Sequence, residues 1–353
     1  MELSRTINSD KRYYLDENTI ENAASFLQTM RVFNDAKMDL YNALYDQKYL
    51  ASGPLIDHVY PVFLKEKYKT NDYYNAAIYT AASGSISSQK ELKKYYSTTI
   101  AADLKTRDEK IKMIQKALDK KKAVKNSIRI YRKDGRWVTP YPRCQLKVKG
   151  LMIVLFNKTI VKLDEYERSV ETDIRKLKTR LALVTEARKR KEKKLENIKN
   201  LPPERIVFGG KKLYSEKDTV GITKSAEDNK TSQKALKEWK QDFFEKRHQS
   251  MALPGRHTSK YGNFLCKYDG KDLSVTCIDG TTTVFHDFKL PRYNEAFQNN
   301  FTCKPEDRQS ICYNFTVKRD RKNRQYIIVS VTMKLQAYEN SYYGNGAISM
   351  DIN

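Results

Sequence analysis

Two lysines behind two glycines are the first residues in this 353-residue chain whose types and spacing suit a chemical task. In Phe208-Gly209-Gly210-Lys211-Lys212-Leu213-Tyr214, the glycines let the backbone approach an anionic group. Lys211 and Lys212 add charge, which makes the pair a phosphate-contact candidate. The same run also fits a tight turn ahead of the next element. Arg256, His257 and Lys260 lie in a loop bounded by Gly255 and Gly262, which suits a contact loop or a plain exposed hairpin loop. Among the basic runs, Lys121, Lys122, Arg188 and Arg190 are candidates for contact with a nucleic-acid backbone, against the plainer reading of solvated helix faces. Trp137, Tyr73 and Tyr74 are candidates for stacking on bases, as are Tyr95, Tyr96, Tyr141 and Trp239; core packing is the alternative for each.

Other chemistry is disfavoured. The cysteines number five and form no C-x-x-C pair, so neither a disulfide framework nor a zinc ribbon is supported, and no zinc is expected. The four histidines are scattered. No H-E-x-x-H, G-x-S-x-G, Walker loop or G-x-G-x-x-G occurs, which argues against a self-contained hydrolase. The 67 Lys+Arg against 43 Asp+Glu leave a net charge of +24. Such an excess, spread over several runs, points to a polyanion, because each neutralised phosphate releases condensed counterions. A membrane-surface protein would carry one strongly amphipathic basic helix with aromatic anchors, and none is evident. No apolar run reaches the ~18 residues of a membrane span, and the start MELSRTINSDKRYYL has no apolar signal core. The expectation is a protein of the cytosol with no membrane partner.

The elements that must hold these residues divide in two. Residues 5–15 read as a short strand, and Asn18 or Thr19 as the cap of a helix. Phe26, Met30, Phe33, Leu40 and Leu44 make an amphipathic stripe. Further helices are expected over 61–68 and 73–82, broken at Gly84, and again from Ser87 or Ser88 to about Lys122. Ile128, Ile130 and Val138 around Asp134-Gly135 suggest a hairpin. A long helix follows over about 160–198, with Val170, Ile174, Leu177, Leu181 and Val184 as a seam. Leu201-Pro202-Pro203 marks a boundary. Beyond it, residues 216–233 read as a polar loop. Strands at 264–268, 273–278 and 282–290 meet at Asp269-Gly270 and Asp279-Gly280, and 312–317 pairs with 325–333 across a basic turn. Several short strands closed by tight turns favour a small OB-like β-barrel.

Four stretches in this order resemble the TnpB-type proteins of bacterial insertion sequences, RNA-guided endonucleases related to type V CRISPR effectors. They are AAIYTAASGSISSQKEL (76–92), FGGKKLY (208–214), RHTSKYGNFLC (256–266) with Gly255 before it, and the ending YIIVSVTM…AISMDIN. The last is similar to the first motif of a RuvC-like nuclease, with Ser349 and Asn353 where the commoner form has glycines. The resemblance implies an α+β protein with a helical recognition lobe over 19–200, inserted after a first wedge strand at 1–18. It further implies a wedge-like, OB-type β-barrel over 201–340 and the start of a RuvC-like domain at 341–353. It implies guide RNA and target DNA as partners, in the bacterial cytosol or nucleoid, within a transposable element whose protein is classed as a transposase and linked to DNA recombination. Base pairing would read the target, while the protein supplies a basic channel. The loop holding Arg256, His257 and Lys260 would lie near the guide scaffold or the target duplex.

The resemblance also implies a Mg²⁺-dependent RuvC site with Asp351 as its first carboxylate and metal ligand. A two-metal centre needs carboxylates from later motifs. Asp351 stands two residues from the end of the sequence, so this chain by itself is expected to bind nucleic acid and not to cut it. A truncated product, one half of a split protein whose C-terminal nuclease half is a partner, a fragment, and a nuclease-free RNA-guided DNA binder all fit that pattern. A general basic RNA-binding protein is the reading from another class.

Overall fold

The computed structural model describes residues 2–51, 56–155, 157–220 and 226–336. In chain order its elements begin with β1 (Glu2–Asn8), β2 (Tyr13–Tyr14), β3 (Ile20–Glu21), α1 (Ala23–Tyr45), α2 (Ile56–Tyr68) and α3 (Asp72–Asp134). Then come β4 (Lys147–Lys149), β5 (Met152–Val154), β6 (Ile160–Lys162) and α4 (Leu163–Asn200). They continue with α5 (Lys211–Ser215), α6 (Lys217–Val220), α7 (Ala226–Arg247), β7 (Ser250–Leu253), β8 (Cys266–Tyr268), β9 (Leu273–Thr276) and β10 (Thr282–Phe285). The last are α8 (Asn294–Thr302), β11 (Cys312–Arg319) and β12 (Gln325–Gln336). The protein is α+β.

The chain forms two compact units, one of residues 1–87 with 205–353 and one of 88–204. In the first, β1-β12-β11-β7 is one antiparallel sheet, with β2 also paired to β12. β3-β10-β9-β8 is the second sheet. Among the described residues the sheets are open, whereas the strand pattern suggested a closed small barrel. Apolar residues on every second position seal the sheets face to face instead. Phe285 of β10 and Phe315 of β11 lie 5.5 Å apart, and Phe26 of α1 meets them edge-on at 5.2 and 4.9 Å. Each such aromatic contact adds about 1 kcal/mol to the area it buries.

The stripe on α1 is buried as its spacing requires, with Phe26, Met30, Phe33, Leu40 and Leu44 all in this core. The helix begins later than Asn18 or Thr19 because β3 intervenes and pairs with β10; its cap is Asn22, in the left-handed region at φ 53°. The helical stretch 19–200 is shared between the units: α1, α2 and the first turns of α3 pack with the sheets.

Three local expectations change. Gly84 does not break α3, since Ala82 and Ile86 are buried on either side of it and Gly84 itself faces open space. A mid-helix glycine costs only about 1 kcal/mol, which burial on both sides outweighs. Asp134-Gly135 is a helix end and not a hairpin: Gly135, at φ +68°, donates its N–H to Tyr131 O at 2.9 Å. Residues 217–220 and 226–233 are helical, not loop, because Trp239 and Phe243 on α7 anchor that helix to the segment before it.

In the second unit α3 and α4 run antiparallel. Arg188–Asp108 (2.5 Å), Lys121–Asp173 (2.6 Å), Lys125–Glu171 (2.7 Å) and Arg132–Glu167 (2.8 Å) set the register. Such exposed pairs contribute little stability, about 0–1 kcal/mol each. The hairpin is held by Leu118, Val124 and Ile128 against Leu163, Val170 and Ile174, together with Ile153 of the small sheet β4-β5-β6.

Candidate nucleic-acid interface

The FGGKKLY segment is a joint in which Phe208 and Leu213 are half-buried and the two lysines face out. Phe208 meets Tyr41 edge-on at 5.2 Å, and the Tyr41 hydroxyl accepts the Ile206 N–H at 2.9 Å. Gly209 and Gly210 sit at φ +95° and +99°. A Cβ on Gly209 would stand 2.8 Å from Phe243 Cε2, so a side chain is excluded there as well as disfavoured by the backbone. The chain then turns into α5, whose Leu213 carbonyl accepts the Trp239 indole N–H at 2.7 Å. Lys211 and Lys212 are exposed at the start of that turn. Beneath it, Lys37 lies 5.5 Å from the centre of the Phe208 ring and donates to Asn34 Oδ1 at 2.5 Å. Burial pushes the Lys37 ammonium down to about 8.

The loop after β7 is built the same way. Asn263, buried, donates through Nδ2 to the carbonyls of Leu253 (3.0 Å) and Ile311 (3.1 Å). Its Oδ1 accepts the N–H groups of Leu265 (2.9 Å) and Cys266 (3.1 Å). Ser259 Oγ donates to the Asn263 carbonyl at 2.7 Å, and Arg256 N–H to Gly262 O at 2.9 Å. Gly255, Gly262 and Asn263 are therefore the fixed frame, and Arg256, His257 and Lys260 project from it, all exposed. Lys260 lies 5.6 Å from the centre of the Tyr261 ring.

In the second unit, Lys122 is exposed and makes no ion pair among the described residues. The other three cations are engaged: Lys121 with Asp173, Arg190 with Glu186 (3.2 Å), and Arg188 with Asp108 and Glu192. The Asp108 carboxylate raises the Arg188 guanidinium above its already high range.

The aromatic candidates separate by burial. Tyr74 is fully buried and its hydroxyl donates to Thr276 O at 2.7 Å, so it is a core residue and not a stacking platform. Trp239 is likewise buried, stacked on Phe243 at 5.4 Å. Trp137 is half-buried and packs edge-on to Tyr131 at 6.3 Å within the hairpin's apolar cluster. Tyr73 is 46% exposed and stacks one face on Phe264 at 4.6 Å. Tyr95 and Tyr96, at 62% and 53%, are the most open aromatic candidates on α3.

No protein-family model, curated protein or solved structure matches this chain.

Asp351 lies outside the described residues. Among the described residues no three His, Cys, Asp or Glu side chains are grouped to hold a metal ion. No helix among them is long and apolar enough to cross a membrane. Sequence reasoning also passed over Asn263 as a hub, although the Gly262-Asn263 pair signals it. It missed the grouping of Arg12 and Tyr14 with residues 319–326, which are some 300 positions away in the chain and adjacent in space.

Proposed function

We propose that this chain is the nucleic-acid-binding portion of a TnpB-like, transposon-encoded RNA-guided DNA endonuclease, with guide RNA and target DNA as its partners. One observation carries the reading. The FGGKKLY and RHTSKYGNFLC segments share a construction: Gly209 in one, and Gly255 and Gly262 around the other, are pressed against neighbouring atoms, and exposed cations follow from that frame. Cations carried on a rigid backbone meet phosphates without a loop having to be ordered first, which suits recognition of a folded guide scaffold by shape and backbone. In this reading the two-sheet unit takes the place of the OB-like wedge domain. Asp351 would supply one carboxylate to a Mg²⁺ site assembled with further motifs.

The test is the RNA that the protein retains when purified from its own cells. Sequencing should return one structured species encoded beside its gene. A smear of abundant cellular RNA would favour the second reading, a general basic RNA-binding protein, which the same exposed cations also suit.

A further inference from the structure

The turn between β11 and β12 folds against β2 to make a cleft of about 500 Å³, lined by Arg12, Tyr14, Arg319, Asp320, Arg321, Lys322, Arg324 and Tyr326. Two tyrosines pair across the β2–β12 ladder, where Tyr14 opposes Tyr326 and their rings lie 5.4 Å apart. A guanidinium covers each: Arg324 lies 4.3 Å from the centre of the Tyr14 ring and Arg12 lies 5.2 Å from that of Tyr326. The turn is held by Asp320, whose Oδ1 accepts the Lys322 and Arg324 N–H groups at 2.8 and 2.9 Å.

The charges are unevenly matched. Arg324 engages Asp320 at 3.1 Å and Glu17 at 3.3 Å, and Arg319 engages Glu245 at 2.7 Å. Arg12, Arg321 and Lys322 are exposed and make no ion pair among the described residues. Three unmatched cations therefore rim a concave site with an aromatic wall. The volume lies within the ~300–1,000 Å³ typical of ligand sites. Cations tracking a strand beside aromatic rings are the usual construction of single-strand sites.

We propose that this cleft binds a single-stranded nucleic-acid segment, with Arg12, Arg321 and Lys322 on successive phosphates and an unpaired base against the Arg324 guanidinium that covers Tyr14. The proposal rests on the nucleic-acid-binding reading above and adds a site whose lining, apart from Tyr326, lies outside its motifs.

The experiment uses the full chain and a fluorescent oligouridylate of about 12 nucleotides, within the ~4–16 that such sites span. Affinity is measured by anisotropy from about 50 to 200 mM salt. Arg321→Ala with Lys322→Ala should flatten the plot of log affinity against log salt by about 1.4, since each phosphate contact to a single strand contributes about 0.7. Arg12→Gln should remove a further ~0.7. Arg321 and Lys322 are exposed and the Asp320 hydrogen bonds use only the backbone of the turn, so their replacement should leave melting unchanged, while Arg12→Gln, which loses its contact with the Tyr326 ring, should cost no more than about 1 kcal/mol. A 4-thiouridine strand should crosslink to the peptide holding Tyr14. If the wild type binds the strand and both variants keep its slope, this cleft is not the site, while the broader reading stands. If uridine monophosphate competes as well as the strand, the site takes a mononucleotide and the strand assignment falls. If the wild type binds no strand at all, the cleft proposal falls, while the broader reading is decided by the RNA that copurifies with the protein.

Discussion

Gly255 and Ile311 meet backbone to backbone: a Cβ built on Gly255 would stand 2.3 Å from the Ile311 nitrogen. Backbone cannot swing aside as a side chain can. Gly255→Ala should destabilise the first unit by about 3 kcal/mol, the upper end for overpacking, and lower the melting temperature accordingly. Gly84→Ala is the contrasting case. Its Cβ would meet nothing within 4 Å in mid-helix, so it should stabilise by about 0.5–1 kcal/mol. Thermal melts of the two variants should move in opposite directions.

Asn263 joins β7, β8 and the approach to β11 through both ends of its amide. Asn263→Ala leaves two buried N–H groups and at least two carbonyls short of partners. Unmet buried groups cost about 1–3 kcal/mol each, so a loss of at least 3 kcal/mol is expected. Hydrogen exchange should show it first at Leu265 and Cys266, whose amides lose their acceptor.

Tyr74→Phe removes the hydroxyl that donates to Thr276 O and nothing else. Stability should fall by about 1–2 kcal/mol. RNA affinity per folded molecule should not change, because the ring is buried. A fall in affinity without a fall in melting temperature would return Tyr74 to the stacking candidates.

His286 bridges two carboxylates, Asp272 through Nδ1 and Glu21 through Nε2, each at 3.0 Å. The hydrogen bond to Asp272, and then that to Glu21, hold its pKa above the ordinary 6.5. Its stabilising contribution is therefore full below about pH 6.5 and is lost as pH rises through the elevated folded value. Asp272 behaves oppositely. Burial disfavours its charge, but hydrogen bonds from the Asp287 N–H and His286 outweigh that and hold it below 3.8. Its contribution is present above that value and fades in acid. Melts of the wild type and His286→Gln should converge as pH rises from about 6.5 to 8.5. A constant gap between them over that range would refute the linkage.

Lys211 and Lys212 stand exposed on a turn whose geometry is set by Gly209, Phe208 and Trp239. Replacing both lysines by Ala should weaken RNA binding and reduce its salt dependence, with melting changed by no more than about 0.5 kcal/mol. A sharp drop in melting temperature with unchanged affinity would make the turn purely structural.

The sequence alone determined what depends on local periodicity. The α1 stripe, the long α4 helix with its end just before Leu201-Pro202-Pro203, and the hairpins at Asp269-Gly270 and Asp279-Gly280 are all legible, because near neighbours dictate them. It also determined the charge excess and the absence of familiar hydrolase motifs. Tertiary structure decided the rest. An Asp-Gly pair is a hairpin at 269 and a helix end at 134, since the backbone preference for positive φ is common to both and only the partners differ. Tyr73 and Tyr74 are adjacent in sequence, yet one is 46% exposed and the other fully buried, because consecutive helical side chains point about 100° apart. The cations available to a phosphate were likewise not readable from charge runs. Arg188 and Lys121 sit in basic runs and are engaged by Asp108 and Asp173, whereas Arg12 stands outside those runs and faces an open cleft. Which charge meets a counter-charge depends on strands and helices brought together across the chain, and that information lies in packing rather than in any local window.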